Sequence, residues 1–197
     1  MPEFDPKRVE RSKEKFKELL ERHGSDALRT LLTETGTRFY ACPASNKGNL
    51  HGCYEGGLVE HTISVFNLMI NFNTLLKTEF KEKKLFKVAV LHDFGKIGDV
   101  KADYYLPQDD DSNGLWRKNT LQEIYKINPA MVAIPVSVRS LYWTSRFGIK
   151  VTPEETQAIT SQVRFYVPFE QNVVHNKEEL TLITNWSDYW SSEVLKI

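Results

Sequence analysis

The chain has 197 residues, with 26 Lys and Arg set against 26 Asp and Glu, and 41% of its residues are hydrophobic. That length suits one folded domain with a sizeable core, and the balanced charge excludes a global field that would draw nucleic acid or an anionic membrane. The N-terminus MPEFDPKRVERSKEKF is too charged for a secretory signal, and no apolar run approaches the roughly 20 residues of a membrane span, so a cytoplasmic protein is expected.

Residues 6–22 place Val9, Phe16, Leu19 and Leu20 at helical spacing among charges, with Gly24 as a stop and Ser25 as cap of a second helix through about Leu32. Residues 1–36 therefore read as an N-terminal helical pair, and residues 37–197 as the rest of a single domain. From Thr37 to Gly57 the turn-rich stretch TRFYACPASNKGNLHGCYEGG predicts a loop long enough to be functional. Its cysteines, Cys42 and Cys53, read as free thiols of a reducing compartment, because the C-x-x-C spacing of a zinc pair is missing.

A helix is predicted from about Leu58, with Leu58, Val65, Leu68, Met69 and Phe72 on one side and Glu60, Ser64, Asn67 and Asn71 on a polar strip opposite. His61 falls on the apolar side. The next segment, Leu85 to Asp93, is apolar nearly all round and predicts a central helix ending at Gly95. Residues 100–126 then combine a strand-like YYL, the acidic run Asp109 to Asp111 and the turn pair Asn113-Gly114, which together predict a small β-hairpin excursion. Helices follow at about 135–147 and 152–161, the second opened by a Thr152 cap and Pro153, and a last helix spans about Glu178 to Val194. The fold class expected is all-α, a compact helical bundle carrying that excursion.

The chemistry centres on His92-Asp93. An ionised carboxylate at the end of a strongly apolar helix needs a cation or full hydrogen bonding, and a second histidine, His61, lies on the buried face of the preceding helix. Two imidazoles and a carboxylate suit a borderline divalent metal. Lys96 lies about one turn beyond Asp93, where it either supplies positive charge to a phosphate or complements a helix end.

The blocks GGLVEHT at 56–62 and VLHDFGKIG at 90–98 resemble the HD-domain metal-dependent phosphohydrolases, whose ligands run His, His-Asp, Asp. The stretch CPASNKGNLHGCYEGGLVEH is similar to that of small, often phage-encoded HD proteins. The resemblance implies a final aspartate on a late helix, and Asp188 in LTLITNWSDYWSS is the candidate. On that helix Thr181, Thr184, Asp188 and Ser191 share one side, while Leu182, Ile183, Trp186, Tyr189 and Trp190 share the other.

Binuclear members carry further histidines between the HD pair and the last aspartate, where this chain has only His175. The resemblance thus implies one divalent ion, Mn, Fe, Ni, Co or Zn more readily than Mg, held by His61, His92, Asp93 and Asp188. Asp93 would also orient the attacking water, and Lys96 would act on the phosphate. The loop before the first ligand closes over the site in the resembling proteins. Its His51 would then bind phosphate, protonate a leaving group or merely cap the loop. Ser45 and Lys47 are candidate phosphate contacts, Tyr54 a candidate base-stacking residue, and Arg139 and Arg146 candidate contacts of a phosphate chain. IPVSVRSLYW and SQVRFYVPF lack histidines that some relatives carry, which argues further against a second metal.

The implied activity is hydrolysis of a phosphate ester in a nucleotide, whether nucleoside mono- or triphosphate, cyclic or oligonucleotide, with homo-oligomerisation left open. Two alternatives are a 3'-5' exonuclease on single-stranded nucleic acid and an inactive nucleotide-binding HD protein. The short neutral chain leaves no room for the accessory nucleic-acid module of HD exoribonucleases.

Overall fold

A computed structural model describes residues 5–161 and 177–197, so His175 and the part of SQVRFYVPF beyond Ser161 lie outside the described residues. The fold is all-α. Helices α1 (Pro6–His23), α2 (Asp26–Ala41), α3 (Gly57–Leu76) and α4 (Glu82–Leu91) come first, then a 3-10 turn (Phe94–Ile97). Strand β1 (Tyr105–Pro107), α5 (Ser112–Thr120), β2 (Tyr125–Ile127), α6 (Val136–Arg146), α7 (Pro153–Thr160) and α8 (Glu179–Tyr189) follow, and α8 runs into a π-helical turn (Trp190–Leu195). Among the described residues no helix is long and apolar enough to cross a membrane.

One apolar core joins the N-terminal pair to the rest, so residues 5–36 are integral to it rather than appended. Phe16 of α1 packs on Phe39 of α2 at a ring separation of 5.0 Å, and Phe39 stacks on Phe94 at 5.6 Å. Phe94 directly follows Asp93, so this aromatic chain fixes the turn that carries the HD pair in the middle of the core. Helix α4 is buried on nearly its whole circumference, as its composition predicts.

Three local expectations change. First, α2 continues to Ala41 and ends only where Pro43 forbids another turn, so Thr37–Ala41 is helical and not loop. Second, the strands do pair antiparallel, Tyr105 with Ile127 and Pro107 with Tyr125, but Asn113-Gly114 is not their turn. Asp111 accepts from the Gly114 N–H at 2.7 Å and caps α5, so the acidic run opens a helix inserted between the strands. Third, Glu60 on the supposed polar strip of α3 is buried against α1, where Arg8 and Ser12 donate to it. Thr152 caps α7 in a full capping box with Glu155.

Candidate metal centre

Helix α3 presents His61 one turn inside its start, and the double glycine before it has a steric cause. Gly56 sits at φ 85°, and a Cβ on Gly57 would lie 2.0 Å from the Gly52 carbonyl, so this loop closes onto the helix only with glycine there. Gly95 has the same constraint: a Cβ would lie 2.0 Å from the Val136 carbonyl, where α6 crosses the turn. The Gly95 N–H donates to Ser140 Oγ at 2.8 Å, and Trp143 Nε1–H donates to the Gly98 carbonyl at 2.8 Å. Arg38, on the part of α2 expected to be loop, donates to the carbonyls of Ile97, Asp99 and Ala102, each at 2.6 Å. Helices α2 and α6 thus clamp the turn after the HD pair from two sides.

The side chains these elements aim inward converge. His61 Nε2 lies 3.3 Å from His92 Nε2, 3.2 Å from Asp188 Oδ1 and 3.7 Å from Asp93 Oδ2, and His92 Nε2 lies 3.5 Å from Asp93 Oδ2. Donors of one ion with bonds near 2.1 Å stand about 3.0 Å apart at right angles and about 3.4 Å apart in a tetrahedron, so His61, His92 and Asp188, whose ligand atoms all lie within 4.8 Å of one another, fit a shared centre, with Asp93 Oδ2 beside them and paired with Lys96. Both histidines are fully buried, and Asp188 reaches the solvent edge with its side chain 28% exposed.

The second nitrogen of each ring fixes its tautomer. His92 Nδ1–H donates to the Ala89 carbonyl at 2.7 Å, and His61 Nδ1–H donates to the Ile197 carbonyl at 2.9 Å, with Ser191 Oγ at 3.2 Å. Main-chain oxygens only accept, so in a neutral ring Nδ1 carries the proton and Nε2, which faces the other ring and two carboxylates, is the nitrogen left to bind a metal.

Charge points the same way. Burial opposes ionisation of Asp93, but Lys96 at 2.5 Å and His92 outweigh it and hold the carboxyl below its usual range. Asp188 is likewise held low against burial by its hydrogen bond to His61. Burial opposes the charge on Lys96, but Asp93 outweighs it and raises the ammonium pKa. Burial lowers the pKa of His92, which keeps that ring neutral. With both imidazoles neutral, two carboxylates against one ammonium leave a negative charge that a divalent cation would neutralise. The residues present fit such an ion.

His51 joins the cluster from the loop. Its ring lies tilted against that of His61 with centroids 4.6 Å apart, its Nε2 is buried without a hydrogen-bond partner, and burial followed by His61 and Lys96 lowers its pKa to about 3. Ser45 Oγ–H donates to the His51 carbonyl at 2.6 Å, so Ser45 fixes the loop that carries His51.

Other expected contacts lie elsewhere. Lys47 pairs with Glu123 at 3.7 Å and ties the loop to the strand excursion. Tyr54 O–H donates to Glu60 at 2.5 Å and accepts from Arg8 at 2.6 Å, which commits it to the α1–α3 interface. Arg139 is buried over the Tyr104 ring, and Arg146 is exposed at the last turn of α6. Cys42 and Cys53 are free thiols, and burial pushes Cys42 up to about 12. Sequence reasoning missed Arg38, Ser140 and the Ile197 carbonyl. Only Ser191, on the hydroxyl side of the last helix, hinted at support for His61.

No protein-family model, no curated protein and no solved structure matches the chain.

Proposed function

We propose that this chain is a metal-dependent phosphohydrolase of the HD type that cleaves a phosphate ester of a nucleotide. The observation that carries the reading is the convergence of His61, His92 and Asp188 on one point, with Asp93 beside them. His61, His92, Asp93 and Asp188 would hold a divalent ion, which would supply Lewis-acid chemistry to water and to a phosphoryl oxygen near neutral pH.

The chain's own groups then have distinct tasks. Asp93 Oδ2 is steadied by Lys96 and can accept the proton of an attacking water, while Lys96 offers its ammonium to the phosphate. His51 Nε2, neutral and unpartnered in the pocket wall, is placed to hydrogen-bond a phosphate oxygen or the leaving group. Free thiols and balanced charge favour a cytoplasmic enzyme acting on small nucleotides over one acting on polymers.

The test is phosphate release from nucleoside mono- and triphosphates across Mn, Fe, Ni, Co, Zn and Mg, alongside shortening of labelled single strands. Phosphate release that falls at least ~100-fold in Asp93→Asn, together with loss of bound metal in His61→Ala, is expected. Strand shortening without mononucleotide hydrolysis favours the exonuclease. Nucleotide binding without product favours the inactive binder.

A further inference from the structure

Arg139 is 2% exposed, yet no carboxylate lies within ion-pairing distance of it among the described residues. Its guanidinium rests 5.0 Å from the centre of the Tyr104 ring and, among the described residues, donates once, from Nη2 to the Val132 carbonyl at 2.8 Å. Nη1 has no hydrogen-bond partner and no surface open to water, so solvent does not replace the missing acceptor. Burying a guanidinium this way is unfavourable, and among the described residues one carbonyl and one aromatic face are all that offset it.

The same side chain lines a cavity of about 340 Å³ on the outer side of α6. Val100, Val132 and Ile134 give it apolar walls, Tyr142 an aromatic one, and Lys101 a second cation. Asp99 is its one carboxylate, and Oδ1 there is occupied by the backbone N–H groups of Lys101 and Ala102. No metal-ligand candidate lines this cavity.

We propose that this cavity is a second ligand site that takes a small anion, a carboxylate or phosphate group, on an apolar body. The anionic oxygens pair with Arg139 and Lys101, and the body lies against the apolar walls. A guanidinium fork is the side chain best matched to either oxygen group, and burial strengthens the pairing. Val132 is 71% and Tyr142 43% exposed, so both can swing aside to let the anion reach Nη1.

The full chain is titrated calorimetrically in chelator with phenylphosphonate, benzoate and inorganic phosphate. Phenylphosphonate or benzoate is expected to bind at least ~10-fold tighter than inorganic phosphate, and whichever binds tighter identifies the oxygen group preferred. Lys101→Ala should weaken binding several-fold. Val132→Glu, at an exposed position, places a carboxylate beside Arg139 and should weaken it at least ~10-fold while leaving metal uptake unchanged. The proposal is overturned if no probe binds, if Val132→Glu binds like the unaltered chain, or if His61→Ala abolishes binding in chelator, which would place the probe in the metal centre.

Discussion

His51 brings a neutral imidazole, its Nε2 unpartnered, into the cluster of candidate ligands, and that has a pH signature. Its folded pKa of about 3 lies below the roughly 6.5 of a free histidine. Between these values the unfolded chain binds a proton that the folded chain does not. Stability therefore falls as pH drops through that window, and this group has no effect above it. Asp93 and Asp188 are held below the carboxylate range, so their contribution is present above about pH 4 and fades only below it. Urea denaturation of metal-free protein from pH 4 to 8 should show stability rising with pH, and His51→Gln should flatten the curve between pH 4 and 6.5. An unchanged slope would remove His51 from the buried cluster. Tyr54 offers a second check at this scale. Because its hydroxyl serves Arg8 and Glu60, Tyr54→Phe should cost about 1–2 kcal/mol of stability and leave KM unchanged. A raised KM would instead make Tyr54 a base-stacking residue.

The elements that carry the site depend on backbone approaches that only glycine allows. Gly95→Ala puts a methyl group where the Val136 carbonyl already sits, so α6 must retreat from the turn bearing Asp93 and Lys96. We expect a loss of about 1–3 kcal/mol in thermal denaturation, with weakened metal binding, whereas Gly148→Ala, which meets nothing within 4 Å, should lose only the strain of its φ of 63°. Much of this level was legible beforehand. Ser25, Thr152 and Pro153 marked helix starts, and apolar periodicity marked α3 and α4. The run Thr37–Ala41 carries no helix stop, and only its surroundings of glycine and proline suggested a loop. The last helix was more instructive. Its hydroxyl side was legible, but its burial was not: Thr181, Thr184, Ser187 and Ser191 are fully covered while Trp186, Tyr189 and Trp190 are about half exposed. Ordinary hydropathy predicts the reverse, because it does not register that Thr184 returns its hydroxyl hydrogen to the Leu180 carbonyl and hides its polarity within the helix.

At the scale of the whole molecule, the metal candidates come from three elements, α3, the end of α4 and α8, so an ion bound there ties them together. Ligand binding to the folded state alone should raise stability by about 2.7 kcal/mol at a hundredfold excess over Kd, or about 5–10 °C in Tm for a chain of this size. Differential scanning with and without chelator measures it, and Asp188→Asn should erase most of the difference. What was not legible at this scale is long-range support. No pattern in the chain announces that Arg38 will hold the turn after Asp93, or that the Ile197 carbonyl will orient His61, because each joins a side chain to a backbone oxygen and backbone oxygens leave no mark in a sequence.

That last contact sets an order of events during folding. His61 and its partner Ser191 stand 130 residues apart along the chain, so closing the loop between them belongs to the later, slower steps. The aromatic core around Phe16, Phe39 and Phe94 can assemble from the first half of the chain, but the candidate metal centre cannot form until α8 docks. Metal capture should therefore coincide with the slowest refolding phase in stopped-flow measurements, so a bound ion would report that the chain has finished folding.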